Sequence, residues 1–436
     1  MYKEASREIL TLIEKSPSPF HAVRTLAELF LRAGYEELAE CDAWTLKRGE
    51  KYFTTRNGSS IIAFAIGGEL ADYHFQLTSS HSDSPTFRVK EAAELKGKGG
   101  YLKLNTEGYG GMICSTWLDR PLSLAGRVLV KTAEGIENRL VAFDRDLVLI
   151  PSLAIHMNRS VNEGTAFNNQ VDMLPLFSAG ACEEGSFREL VAGELGVNAG
   201  DILGCDLGLY SRTAPSVWGA KEEFISSARL DDLQCAFTSA KAMIAAENAH
   251  SVNVFACFDN EEVGSGTKQG ACSTFLRDVL TRINDGLGFS GEDYCRAVAK
   301  SFMVSCDNAH AVHPNHPEKT DETNCTYLNK GIVIKYAANQ KYTTDGVSAA
   351  VFKAVCERAG VPYQVFANRS DMAGGSTLGN LSSQKVSLHT VDIGIPQLAM
   401  HSSYETAGVM DTLYMIQALT KFYEMDIVAD GDGVRM

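Results

Sequence analysis

From about residue 220 onward, short apolar runs alternate with helical ones, and this alternation restricts the fold more than any other feature of the chain. Helices are predicted over 232–248, 274–285, 347–359 and 409–423, and strands over 251–258, 301–306, 363–366 and 386–393. Strands that alternate with helices must form a sheet covered by those helices, so the class is α/β. The chain opens with two amphipathic helices. Ile9, Leu10, Leu12 and Ile13 mark the first, and Ala22, Val23, Leu26, Leu29 and Phe30 the second, on either side of a Ser-Pro-Ser-Pro break at 16–19. Strands follow at 52–55, 60–66 and 73–80, separated by Asn-Gly and Gly-Gly turn signals.

Between about 90 and 220 the texture changes to short, glycine-punctuated strand segments at 97–111, 126–131 and 140–149, with helical periodicity only near 188–196. This stretch reads as an inserted, mostly β domain. The predicted layout is an α/β domain in two parts, 1–90 and 221–436, interrupted by a β-rich domain at 91–220. A chain of 436 residues has room for both, since domains usually take about 100–200 residues. There is no internal repeat.

A net charge of −14 argues against a general polyanion binder, because phosphate binding needs a basic surface, so nucleic acid is not an expected partner. The eleven cysteines contain no CxxC pair, which suits reduced thiols and excludes a zinc knuckle. The N-terminal segment is interrupted by charges, and no run approaches about 18 apolar residues. A soluble, cytoplasmic protein without a membrane partner is expected.

Acidic and histidine residues gather where strands stop. The strand at 73–80 runs into His81-Ser82-Asp83, that at 251–258 into Asp259-Asn260-Glu261-Glu262, that at 301–306 into Asp307, and that at 386–393 into a loop reaching His401. In open α/β sheets, ligands bind beyond the carboxyl ends of strands. Two imidazoles with several carboxylates suit a zinc-type ion. His81, Asp231 or Asp232, one of Glu261 and Glu262, Asp307 and His401 are enough donors for two ions sharing a carboxylate, about 3.5–4 Å apart. Of the adjacent glutamates, one can bind metal and the other serve as general base. Asp83, two residues from His81, could accept the second imidazole N–H and fix the tautomer.

These segments resemble the M18 metallopeptidases, the aspartyl aminopeptidases, over essentially the whole chain. The resemblance is carried by Ser16-Pro-Ser-Pro-Phe-His-Ala-Val23, His81-Ser-Asp-Ser-Pro-Thr-Phe-Arg-Val-Lys90, Leu153-Ala-Ile-His156, Arg229-Leu-Asp-Asp-Leu233 and Asp259-Asn-Glu-Glu-Val-Gly264. Asp307-Asn-Ala-His-Ala-Val-His-Pro-Asn315 and Gly394-Ile-Pro-Gln-Leu-Ala-Met-His401 continue it. It implies a zinc-peptidase-type α/β/α catalytic domain with a mixed sheet and an inserted β-rich dimerisation domain. It also implies two Zn2+ per subunit, with Mn2+ or Co2+ as substitutes, held by His81, Asp231, Glu262, Asp307 and His401. Asp231 would bridge, Glu261 act as general base and Asp83 orient His81. His156 would be lent to the neighbouring subunit's active site, where it stabilises the developing oxyanion, and Lys335 would be the cation of an acidic side-chain pocket.

The implied activity is hydrolysis of the N-terminal peptide bond, with preference for Asp or Glu at the N-terminus, in dimers that build a dodecamer. A buried cation facing a neutral side chain would be left unpaired, which is why Lys335 favours acidic substrates. The run 372–379, rich in glycine, could line the same pocket with backbone N–H groups. The alternatives are a dizinc aminopeptidase of neutral or broad specificity, and a shell-forming binding protein without catalysis. His310 and His313 read as structural or supporting residues. Gly264-Ser265-Gly266 lacks the Lys-Ser/Thr of a phosphate loop and reads as a helix start. No GxSxG elbow or cysteine signature supports a Ser or Cys nucleophile.

Overall fold

The Ser-Pro-Ser-Pro break ends one helix and begins the next. Helix Tyr2–Glu14 closes before it, and Ser18, extended at φ −147°, caps helix Pro19–Arg32 by accepting the His21 N–H, with Pro19 in the first turn. Ser18 Oγ also lies 2.7 Å from His21 Nδ1. The His21 imidazole is 2% exposed, and burial, helped by the Arg24 and Arg229 charges, holds its pKa down to about 4. The unfolded chain takes up this proton near pH 6.5, so only the unfolded state gains from it between about 6.5 and 4, and stability falls as pH falls through that window. Urea denaturation at pH 7 and pH 4 is expected to show His21 alone removing about 3 kcal/mol, a loss absent from His21→Gln.

In the computed structural model, which describes residues 1–431 and 433–436, the chain forms two compact units. The first comprises Met1–Asp83, Pro215–Met400 and Glu405–Met436; the second comprises Ser84–Ala214 with His401–Tyr404.

The first unit is built on a nine-stranded mixed sheet. Across it run Glu36–Glu37, Lys51–Arg56, Ser60–Ile66, Val252–Phe258, Phe75–His81, Phe302–Cys306, His389–Gly394, Ile332–Tyr336 and Tyr363–Ala367. The four strands from Val252–Phe258 to His389–Gly394 are mutually parallel. Val252–Phe258 and Phe302–Cys306 are mostly apolar, as suits strands buried on both faces, and the polar side chains of Phe75–His81 are buried with them. Alternate residues divide between the faces: Ile61, Ala63, Phe255 and Cys257 face one core, Ile62, Phe64, Val254 and Ala256 the other. Helices Tyr2–Glu14, Pro19–Arg32, Leu230–Ala245, Gly346–Ala359 and Asp411–Glu424 cover the first face, and Phe275–Gly286 and Gly291–Lys300 the second. This is the α/β/α architecture with a mixed sheet that the sequence predicts. Register aligns the strand ends, with His81 level with Phe258 and Cys306 level with Ile393. The residues that follow those strands therefore emerge on one side of the sheet.

The second unit is a six-stranded antiparallel sheet in the order Gly135–Ala142, Leu122–Thr132, Ile202–Ser211, Thr86–Lys96, Tyr101–Tyr109 and Leu176–Ala179. Helix Ser186–Leu195 adds Phe187 and Val191 to a core of Phe87, Leu104, Leu124, Val128, Leu207 and Leu209.

Three local expectations differ from the structure. The strand predicted at 140–149 stops at Ala142, because Asp144 and Asp146 turn out to pair with Arg212. The helix expected at Gly264 begins only at Phe275: Gly264 and Ser265 have φ of 93° and 58°, which no α-helix accommodates. Helix Gly291–Lys300 was not anticipated, although Ser290 and Asp293 form a capping box at its start.

Candidate metal centre

His81 closes its strand, and its surroundings fix both ends of the side chain. The imidazole is 1% exposed. Nδ1 lies 3.0 Å from the Asp83 carbonyl and 3.3 Å from Asp83 Oδ1. A carbonyl only accepts, so Nδ1 carries the hydrogen and Nε2 offers its lone pair. Nε2 faces Asp231 Oδ1 at 3.4 Å and Asp307 Oδ1 at 3.8 Å. Asp83 thus meets the imidazole through its main chain as well as its carboxylate.

Asp83 also organises the two glutamates. It is wholly buried, and its Oδ1 and Oδ2 accept the N–H groups of Glu261 and Glu262 at 3.1 and 3.2 Å. Asn260, at φ 62°, turns the chain out of its strand into the single 3-10 turn Glu261–Val263. Asp231 and Asp232 sit at the start of helix Leu230–Ala245, joined by a cis peptide bond. Asp232 Oδ2 accepts the His81 N–H at 3.1 Å, and the Asp231 N–H donates to Glu405 Oε2 at 3.0 Å.

One donor atom each from His81, Asp231, Asp232 and Asp307 lies within 4.8 Å of the others, and the same holds for His81, Glu261 and Glu262. The electrostatics follow from this crowding. Burial would lower the His81 pKa, but the Asp231, Asp307 and Asp83 carboxylates outweigh it and hold the imidazole well above its usual value. Burial, followed by the charges of Asp307 and Asp231, pushes the Asp232 carboxyl well up against the opposing His81. Burial likewise pushes Glu261 up to about 8, against the pull of His81 and with help from Asp307, Asp83 and Asp231.

A zinc-type cation fits these residues. The donors are imidazole nitrogen and carboxylate oxygen, the set such an ion takes when thiolate is absent. The nearby thiols do not compete: burial raises the pKa of both Cys235 and Cys306 and keeps them protonated, and Cys235 donates to Asn308 Oδ1. Asp232 Oδ1, buried and without a hydrogen-bond partner, adds negative character that a cation would offset.

Lys335 is also in this neighbourhood. Its ammonium is buried, donates to the Asp307 and Asn308 carbonyls at 2.8 and 3.3 Å, and lies 3.6 Å from Asp307 Oδ2 and 5.3 Å from the Tyr342 ring centre. Burial works against its charge, but Asp307, Tyr342 and Asp392 hold its pKa above the usual lysine value. In the 372–379 run, Thr377 Oγ1 donates to Asp392 Oδ1 at 2.7 Å. A Cβ at Gly379 would stand 2.9 Å from that same oxygen, so close packing requires glycine there.

His401 and His156 belong to the second unit. His401 has φ 67°, and its Nδ1 lies 2.9 Å from the Gly111 carbonyl, which again makes Nε2 the lone-pair nitrogen. His156 is exposed in an irregular run between Ile150 and Leu176. His310 and His313 are exposed and join none of the donor groups among the described residues. Sequence reasoning missed Glu405 and the second use of Asp232. Neither has a local signal, because both are recognised by contacts across the fold.

A family model described as "Aminopeptidase I zinc metalloprotease (M18)" matches residues 12–423. The chain belongs to the M18 aminopeptidase family. It is thus a zinc-dependent hydrolase of the aminopeptidase type. Among curated M18 relatives, "Probable M18 family aminopeptidase 2" of Clostridium novyi (strain NT) is 46% identical over 427 residues, covering 96% of this chain and 98% of the relative. A chain of the "Cryo-EM structure of the Ape4 and Nbr1 complex" matches with a TM-score of 0.94 and 37% identity, over 97% of this chain and 86% of that one. The "Structure of S. cerevesiae mApe1 dodecamer" matches with a TM-score of 0.85 and 26% identity, over 97% of each chain. Among the described residues of this M18 chain, no helix is long and apolar enough to cross a membrane.

Proposed function

We propose that this M18 aminopeptidase removes acidic N-terminal residues from peptides, using a dinuclear zinc site held by His81, Asp231, Glu262, Asp307 and His401. Asp231 would be the carboxylate shared by the two ions, and Mn2+ or Co2+ would be substitutes for zinc. The observation that carries this reading is the buried His81, whose Nε2 is turned toward Asp231 and Asp307 while Asp83 holds its Nδ1 and the amides of both glutamates.

When bound, the zinc pair supplies Lewis acidity toward the scissile carbonyl and toward water. Glu261 is the general base. Its carboxylate takes a proton from the attacking water as the new C–O bond forms, holds it, and delivers it to the leaving nitrogen as the C–N bond breaks. Glu262, on the neighbouring residue, remains a ligand because Asp83 fixes the two amides separately. His156 is lent by a neighbouring subunit to stabilise the oxyanion. The second unit thus serves as a dimerisation domain, within an assembly that we take to be a homododecamer like the mApe1 relative. Leu153, Ile155 and Met157, exposed at 56%, 50% and 74% around His156, support such a contact. The eleven unpaired cysteines support a reducing, cytoplasmic setting.

Lys335 carries the substrate preference. An ammonium has three donors, and the Asp307 and Asn308 carbonyls occupy two, so one remains for a substrate carboxylate. One observation favours a second reading, an aminopeptidase of neutral or broad specificity. Lys335 already has Asp307 as a counter-charge, so an uncharged substrate would not strand it. Steady-state rates on aspartyl, glutamyl and leucyl substrates separate the two. The acidic reading expects kcat/KM on aspartyl to exceed leucyl by about 10–100-fold, the worth of one charge-assisted hydrogen bond, and Lys335→Ala to erase that ratio. The ratio cancels any loss common to both substrates. A leucyl preference in the unaltered enzyme would discard the acidic reading.

A further inference from the structure

Beneath the donor cluster, the first unit buries a set of polar side chains that none of the roles above uses. Asn308, Gln397 and Glu405 are 3%, 1% and 2% exposed. Asn308 and Gln397 lie in two of the segments quoted above, one next to Asp307 and the other four residues before His401. Their hydrogen bonds run in one direction. The Asn308 amide is fixed from three sides: its Oδ1 accepts from Cys235, and its Nδ2 donates to Gln234 Oε1 at 3.2 Å and to Gln397 Oε1 at 2.7 Å. Gln234 is held in turn, since its Nε2 donates to Thr412 Oγ1 at 2.9 Å. With its oxygen engaged, Gln397 presents its NH2 to Glu405 Oε1, a long contact at 3.5 Å. Glu405 Oε2 accepts the Asp231 N–H at 3.0 Å. Glu405 therefore accepts at both oxygens, a demand that only a carboxylate meets without setting donor against donor.

We infer that Glu405 is a positioning residue for the metal-binding carboxylate of Asp231, and that Asn308 and Gln397 fix the direction in which Glu405 accepts. A buried carboxylate is costly, and here it holds the main chain of the residue whose side chain faces His81. The inference rests on the reading of Asp231 as a ligand.

The test uses the full chain, stripped of metal and titrated with Zn2+ against a chromophoric chelator, with circular dichroism to verify the fold. Glu405→Gln puts an NH2 against the Gln397 NH2 or the Asp231 N–H, and zinc affinity is expected to fall by about 10–100-fold. The exchanged pair Glu405→Gln with Gln397→Glu restores every donor–acceptor match at unchanged net charge, and affinity is expected to return to within a few-fold of the unaltered protein. Unchanged affinity in Glu405→Gln, or equal weakness in the single and exchanged variants, would overturn the inference. Should Glu405→Gln fail to fold, the exchanged pair decides: near-native affinity supports the assignment and weakened affinity refutes it. Absence of zinc binding by the unaltered chain would instead overturn the reading of the site.

Discussion

Replacing Glu261 with glutamine is expected to lower turnover of acidic N-terminal substrates by about 10²–10⁴-fold, the usual worth of a positioned general base, while bound zinc stays unchanged. The variant keeps the local geometry because Glu261 is anchored by its main chain, whose N–H donates to Asp83 Oδ1 at 3.1 Å. Only the capacity to hold and return a proton is lost. Burial and the Asp307, Asp83 and Asp231 charges already make this carboxyl a better base than a solvated glutamate, and a neighbouring cation draws its pKa back down. Parallel measurement of kcat and metal content separates a base from a ligand. A drop in both together would assign Glu261 to the metal shell.

Removing divalent cations is expected to abolish activity and lower thermal stability, and zinc is expected to restore both. Donor atoms of His81, Asp231, Asp232 and Asp307 converge within 4.8 Å, and three of the four groups are carboxylates, two of them, Asp231 and Asp232, buried away from water. Without a counter-charge this convergence is repulsive, and protons are the only other cations that relieve it. Zinc at about 100 times its Kd adds about 2.7 kcal/mol through linkage, which for a chain of this size raises the melting temperature by roughly 3 °C. Scanning calorimetry of metal-free and zinc-loaded protein measures the shift. In Asp231→Ala the shift is expected to disappear. A shift that survives in that variant would show that the ion binds elsewhere.

Much of the site was legible because strand ends are legible. His81 ends its strand and Asp307 directly follows Cys306 at the end of a neighbouring one, and a parallel sheet in register carries such ends to one side. Asp231 and Asp232 could not be told apart from the residues alone, since both are acidic and adjacent. The fold separates them: Asp231 faces the imidazole, while Asp232 holds the His81 main chain. Glu405 left no trace in the sequence, because its partner Asp231 is 174 residues away and the intervening pattern records burial rather than hydrogen bonding. Helix Gly291–Lys300 was overlooked for a different reason. Only Ala297 in it is buried, so the apolar stripe that announces a helix is faint, and its capping box was the available signal.

The buried ammonium of Lys335 ties two properties together. Two of its three hydrogens go to the carbonyls of Asp307 and Asn308, so on the proposed reading trimming this lysine to admit uncharged peptides would also loosen the backbone that carries the Asp307 carboxylate. Engineered tolerance at the pocket and secure loading of the cofactor would then draw on the same side chain. A directed-evolution route toward new substrates would more profitably begin at positions facing the peptide without touching residue 307.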